Sequence, residues 1–252
     1  MRRRLALLAA TGLLAGCGTD ASGDDGNGPS GTLTVFAAAS LTDVFTELGD
    51  QLEDENAGLE VRFNFAGSSA LATQITQSAP VDVFASADEP QMQVVVDAGL
   101  ADRPEVFAAN VLEIAVPRGN PGGVTGLADL GRDELAVALC APEVPCGSAA
   151  EQVLASAGIT AAPDTLDEDV RAALTKVELG EVDAALVYAS DVATAGGEVE
   201  GIPVPDAEEA LNVYPVCVLA DAPNPAAAQA FVELLRSDRG REALADAGFR
   251  EP

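Results

Sequence analysis

The sequence predicts an α/β fold of two lobes, each a mostly parallel sheet flanked by helices, with a ligand cleft between them. Three observations carry this prediction. Short apolar or alternating runs, the mark of strands, take turns with stretches whose apolar residues recur at helical spacing, and such alternation builds βαβ units. The chain has 252 residues, enough for one large domain or two lobes. Its composition is 48% hydrophobic but only 4% aromatic, with no Trp. The interior must therefore be packed largely from Ala, Val and Leu.

The elements follow in order. Met1-Arg2-Arg3-Arg4 is a basic start, and Leu5 to Leu14 is an apolar stretch too short to remain as a membrane span. It runs into Leu14-Ala15-Gly16-Cys17, so residues 1–16 read as a secretion leader. Residues 17–31 are mostly Gly, Asp, Ser, Asn and Thr, a composition that buries little and makes a flexible tether. A buried strand is expected at Leu33–Ala37. Leu41 to Glu55 is a helix, with apolar residues at 41, 44, 45, 48 and 52. Glu60–Phe65 alternates as a strand, followed by a helix at Ala70–Gln77, a strand at Val81–Ala85 and a helix at Pro90–Ala98. Val111–Val116 is a strand that ends in a Gly/Pro loop. Leu135–Cys140 is a strand, Ser148–Ala157 and Val170–Leu179 are helices, and Ala184–Val187 is a strand. A β-rich run at Val213–Leu219 and helices at Pro225–Leu235 and Arg239–Ala247 close the chain. No internal repeat is visible. Crossovers near Asn110 and Leu211 assign residues 32–110 and 212–252 to lobe 1 and residues 111–211 to lobe 2.

The charge excludes some functions. Thirteen Lys and Arg stand against 41 Asp and Glu, for a net charge of −28. Nucleic-acid binding needs a basic surface and is not expected. There is no His at all, which removes Ser-His-Asp and Cys-His catalysis and the commonest transition-metal ligand. No G-x-G-x-x-G or G-x-x-x-x-G-K-[ST] occurs, and no carboxylate pair stands out. An enzyme is not expected, nor a cofactor, nor a metal coordinated directly by side chains. Of the four cysteines, Cys140 and Cys146 flank Ala-Pro-Glu-Val-Pro, a turn-rich segment that brings them together. A disulfide between them is expected, worth about 2 kcal/mol or less over so short a loop. Cys217 lies in an apolar strand and reads as a buried thiol.

The informative feature is where small polar residues fall. Four expected turns lead straight into helix starts: Ala38-Ala39-Ser40-Leu41, Ala66-Gly67-Ser68-Ser69, Pro145-Cys146-Gly147-Ser148 and Glu168-Asp169-Val170-Arg171. Helix N-termini carry unpaired N–H groups and about half a positive charge. Several aimed at one point bind an anion without Lys or Arg, and open α/β sheets bind ligands beyond the carboxyl ends of their strands. The serines have a second reading as helix caps. Ser40 with Asp43 fits a Ser-x-x-Asp capping box, and Asp169 beside Val170 argues locally against an anion. Spacing alone supports an anion or a small polar ligand in a cleft.

A family resemblance sharpens this. Thr34-Val35-Phe36-Ala37-Ala38-Ala39-Ser40-Leu41-Thr42, Phe65-Ala66-Gly67-Ser68-Ser69-Ala70-Leu71-Ala72 and Ala79-Pro80-Val81-Asp82-Val83-Phe84-Ala85-Ser86-Ala87-Asp88 resemble successive motifs of the periplasmic molybdate-binding proteins. Val144-Pro145-Cys146-Gly147, Asp169-Val170-Arg171-Ala172-Ala173-Leu174 and Leu186-Val187-Tyr188-Ala189-Ser190-Asp191 match the later ones in order, and Tyr214-Pro215-Val216 and Gly248-Phe249 also fit. The resemblance spans Leu33 to Phe249. It implies a type II periplasmic-binding-protein fold that closes on molybdate, with tungstate expected to bind too. It implies ligand contacts through Ser40 and Ser68, through the N–H groups of Cys146 and Val170, and through the Tyr188 hydroxyl, with Ser69 as a further candidate. Cys146 stands where better-known members carry Ala. Gly67 stands where some carry Ser, which leaves the register of Ser68 against Ser69 open. Leu14-Ala15-Gly16-Cys17 resembles a bacterial lipoprotein signal, implying lipidation of Cys17 and an anchor outside the cytoplasm. The expected partner is the membrane permease of an ABC importer, and the chain is expected to act as a monomer. The competing readings are a protein of the same fold for sulfate, phosphonate or ferric ion, a secreted enzyme, or a sensor without a transporter.

Overall fold

The computed structural model describes residues 28–252. The leader, Cys17 and most of the expected tether lie outside the described residues. The chain forms two five-stranded sheets. The first contains β1 (Gly31–Ala38), β2 (Leu59–Ala66), β3 (Val83–Ala85), β4 (Glu105–Asn110) and β10 (Asn212–Val218), in the order β2-β1-β3-β10-β4. The second contains β5 (Leu112–Pro117), β6 (Val137–Cys140), β7 (Thr165–Asp167), β8 (Ala184–Tyr188) and β9 (Val199–Pro203), in the order β7-β6-β8-β5-β9. Only Val111 separates β4 from β5, and β10 carries the chain back to the first sheet.

The two sheets share one plan. Within each, three neighbouring strands run parallel, β2-β1-β3 and β7-β6-β8, and they arise from βαβ crossovers. The remaining two ladders of each sheet are antiparallel. The α/β class holds, and four of the five strands in each sheet point the same way, with only β10 and β5 reversed. The reason is that β10 and β5 enter their sheets from the opposite lobe and so run against the local strands. This shared plan left no trace as a sequence repeat.

Helices cover the sheets. They are α1 (Thr42–Glu55), α2 (Ser68–Thr76), α3 (Glu89–Asp97), α7 (Pro225–Arg236) and α8 (Asp238–Asp246) beside the first sheet, and α4 (Pro145–Ser156), α5 (Val170–Glu178) and α6 (Ala189–Thr194) beside the second. The apolar stripe of α1 buries Val44, Phe45, Leu48 and Leu52. Phe45 meets Phe231 of α7 edge-on at 5.2 Å, a favourable geometry for two rings. The core of the second sheet is built mainly from Val, Leu and Ala, including Ile114, Val137, Leu174, Leu186 and Val187.

Some elements escaped the sequence pattern. β4, β7, β9 and α6 were not expected. β7 has only three residues, and β9 contains Gly201, Ile202 and Pro203, a run that reads as a turn. Helix α4 starts at Pro145, three residues before the expected Ser148, because proline suits the first helical position. Helix α2 likewise starts at Ser68 rather than Ala70.

Candidate functional site

Six turns at the carboxyl ends of parallel strands meet at one pocket. In the first sheet β1 leads to Ser40, β2 to Ser68 and β3 to Ala87; in the second β6 leads to Cys146, β7 to Val170 and β8 to Tyr188, and all six line it. Ligands of open α/β sheets bind beyond these ends, and here two such sheets face each other. The cavity is about 10 Å³, near the least room that holds a single water. Walls from both sheets enclose so little space only when the lobes are shut. The pocket suits a compact ion and not a sugar, an amino acid or a peptide.

Among the described residues, no Lys or Arg lines the pocket, and its one acidic residue, Asp169, has its carboxylate engaged as the cap of α5. The remaining polarity comes from neutral donors. Ser68 is the first residue of α2 and Val170 the first of α5, while Cys146 is the second of α4, behind Pro145. N–H groups at these positions have no partner within their helices. A disulfide joins Cys140, the last residue of β6, to Cys146 and ties the start of α4 to the sheet. The turn between them is tight: a Cβ on Gly147 would lie 1.9 Å from the Ala141 carbonyl oxygen, so only glycine fits.

The hydroxyl groups are oriented by the protein. Ser68 Oγ accepts the Ala87 N–H at 3.0 Å. Its own proton is then left for the pocket. Ser40 Oγ and Tyr214 Oη are 2.9 Å apart. With the Tyr214 O–H donating, the Ser40 proton is free as well. The Tyr188 hydroxyl is buried and has no hydrogen-bond partner among the described residues. Burial raises both phenols well above their usual range. They therefore stay protonated at neutral pH, as donors must.

The capping readings of the sequence need correction. Ser40 lies inside a short 3-10 turn, Ala39–Leu41, and caps nothing; its hydroxyl bonds Tyr214 instead. Asp43 forms no capping box and pairs with Arg171 of α5. Ser68 is a helical residue rather than a cap, since the cap position is Gly67. Asp169, flagged as hostile to an anion, accepts the Ala172 N–H at 2.9 Å and serves as the cap of α5. Around Gly67, Ser68 lines the pocket, while Ser69 is half-buried and does not. Cys217 is buried and its Sγ lies 3.5 Å from Met92 Sδ.

Several residues around the site were not singled out from the sequence. Tyr214 and the Ala87 N–H orient the two serines. Asp191 is fully buried, accepts the Tyr188 N–H at 3.0 Å, and is pushed up to about 7 by burial, against the pull of Arg171. Asn110 donates to Ser190 Oγ at 2.7 Å across the β4–β5 crossover. The contacts of Tyr214 and Asn110 join residues far apart in the chain, and no local pattern marks them.

Comparison with known proteins places this architecture. Residues 33–250 match the family model for bacterial extracellular solute-binding proteins. The molybdate-binding protein ModA of Mycobacterium tuberculosis is 43% identical over 95% of this chain and 93% of its own length. The ModA protein of Escherichia coli is 33% identical over 98% of both chains. Among solved structures, the periplasmic molybdate-binding protein of Azotobacter vinelandii aligns with a TM-score of 0.75 at 21% identity, covering 87% of this chain and 99% of its own, which supports the fold. With two facing sheets, a closed pocket at their strand ends and this similarity along nearly its whole length, the chain belongs to the bacterial extracellular solute-binding proteins.

Proposed function

We propose that this chain captures molybdate, and tungstate as well, outside the cytoplasm and hands it to the membrane permease of an ABC importer. The observation that carries this reading is a pocket of ionic size, lined by neutral donors from both lobes, in a chain 43% identical to a molybdate-binding protein. The proposed ligand contacts are Ser40 and Ser68 through hydroxyl and backbone N–H, the N–H groups of Cys146 and Val170, and the Tyr188 hydroxyl. Ser69 adds at most its backbone N–H, at the second position of α2. The lobes are residues 32–110 with 212–252, and residues 111–211. Cys17 carries the lipid anchor and the protein works as a monomer.

The chemistry fits a fully deprotonated oxyanion. Hydrogen bonds to a charged acceptor contribute about 1.5–3 kcal/mol each. Neutral donors avoid leaving an unpaired fixed charge in the cleft when it is empty. Ser68 Oγ already accepts the Ala87 N–H, and Ser40 Oγ can give its proton to the pocket when the Tyr214 O–H donates to it, so the hydroxyls suit an anion that keeps no proton. Sulfate is smaller than molybdate, and donors held at distances that suit molybdate would stand too far from its oxygens.

Calorimetric titration with molybdate, tungstate, sulfate and phosphate tests the reading. Tight binding of the first two and weak or no binding of the others is expected. Tight sulfate binding with none of molybdate would transfer the site to another oxyanion.

A further inference from the structure

The donors are accompanied by three ionisable side chains that stand outside the pocket lining. Asp43 stands three residues after Ser40, Arg171 one residue after Val170, and Asp191 three residues after Tyr188. These three side chains meet. Arg171 pairs through Nη2 with Asp43, which lies in the first turn of α1 beside the first sheet. Its Nε lies 3.9 Å from Asp191 Oδ1, within the second lobe. Neither that Nε nor that Oδ1 has a hydrogen-bond partner, and both are buried.

The two halves of this triad differ. Asp191 is 0% exposed and Arg171 is 25% exposed, so they form a fixed, sheltered pair inside one lobe. Asp43 is 52% exposed and belongs to the other lobe. A cleft opened between the sheets would leave Arg171 on Asp191 and separate it from Asp43, and the arrangement that brings Ser40, Val170 and Tyr188 together is the one that holds the Asp43 contact.

We infer that Arg171, seated on Asp191, is a positioning residue that latches the closed cleft by gripping Asp43 across it, and so sets how fast the bound anion leaves. This rests on the proposed reading that the cleft closes on an oxyanion. The latch acts on release more than on capture, because the pair exists only once the lobes meet. It lies outside the pocket wall, so it adds no charge to the ligand shell.

The test uses the full chain and three variants, Asp43→Asn, Arg171→Gln and the double change. Molybdate release is followed by stopped-flow chase. Closure is followed separately, with and without molybdate, by electron–electron distance measurement between spin labels at Asp54 and Glu151, exposed residues of opposite lobes. Asp43→Asn is the clean variant, since it leaves the Arg171–Asp191 pair intact. It should raise the release rate about two- to tenfold, the range for a partly sheltered ion pair. The thermal midpoint should stay close to the parent's. Moderate salt should speed release from the parent and not from Asp43→Asn. In the Arg171→Gln background, Asp43→Asn should add nothing. Asp43→Glu should restore slow release.

A release rate, salt dependence and closed fraction unchanged in Asp43→Asn would overturn the latch, as would full additivity in the double variant. If the parent binds no molybdate, the proposed ligand is wrong. The label distances then still decide the latch: a more open distribution in Asp43→Asn than in the parent supports it, and identical distributions refute it.

Discussion

Tyr188→Phe separates a ligand donor from a structural tyrosine. The side chain is 1% exposed, and its hydroxyl makes no hydrogen bond among the described residues. Removing that hydroxyl therefore breaks nothing in the ligand-free fold, and the stability of the free protein should change by less than about 1 kcal/mol. In the closed complex the same change leaves an anion oxygen without one charge-assisted bond, a loss of about 1.5–3 kcal/mol. Molybdate affinity should fall roughly 10- to 150-fold. Ser68→Ala provides the contrast. It removes a ligand donor, and it also strands the buried Ala87 N–H that now donates to Ser68 Oγ. It should lose affinity and, in addition, about 1–3 kcal/mol of stability. Calorimetry gives the affinity, and urea unfolding of ligand-free protein gives the stability. Unchanged affinity in Tyr188→Phe, or a stability loss as large as its affinity loss, would refute the assignment.

Four further expectations follow from the structure. With Cys17 removed, thiol counting under denaturing, non-reducing conditions should find one thiol, Cys217, while three would exclude the Cys140–Cys146 bridge; in the native protein burial pushes the Cys217 thiol up to about 12, so alkylation at pH 8 should be very slow. A Cβ at position 67 would lie 2.4 Å from the Glu168 carbonyl oxygen of the other lobe, so Gly67→Ala should hold the cleft ajar and weaken molybdate binding with little effect on ligand-free stability; equal affinity would show that closure is looser than described. Asp191 rises from 3.8 to about 7 on folding, so its contribution to stability is complete below the lower value and is lost as pH climbs through the higher one. Asp191→Asn should flatten the decline in stability between about pH 4 and 7, and an unaltered slope in urea melts across that range would contradict this. Mass spectrometry of protein from the native host should find a diacylated N-terminal Cys17, whereas an unacylated start downstream of it would remove the anchor.

Much of this architecture is legible in the sequence because it is local. Apolar periodicity marks α1, α5 and α7, and the small residues after β1, β2 and β6 announce turns whose backbone must approach something closely. Such signals place Ser40, Ser68 and Cys146 after strand ends, while Val170 is marked only as a helix start. They do not say that these ends converge, which depends on how two sheets face each other; the family resemblance supplied that expectation. The misread features are the non-local ones. Ser40 resembles a cap by spacing, but its partner Tyr214 lies 174 residues away. Asp43 is likewise drawn from a capping role by Arg171, 128 residues distant. The antiparallel ladders of β5 and β10 follow from the chain crossing between lobes, and alternation of elements within a lobe cannot reveal them. β9 was hidden by its own Gly and Pro, which an edge strand tolerates.

The central claim is that molybdate sits among neutral donors from both lobes. Crystals of the protein grown with molybdate, with diffraction recorded at the molybdenum absorption edge, test it most directly. The account predicts one anomalous peak in the pocket, its oxygens within hydrogen-bonding reach of the Ser40 and Ser68 hydroxyls, the Cys146 and Val170 N–H groups and the Tyr188 hydroxyl. A peak elsewhere, or one in this pocket held chiefly by a Lys or Arg side chain, would contradict it.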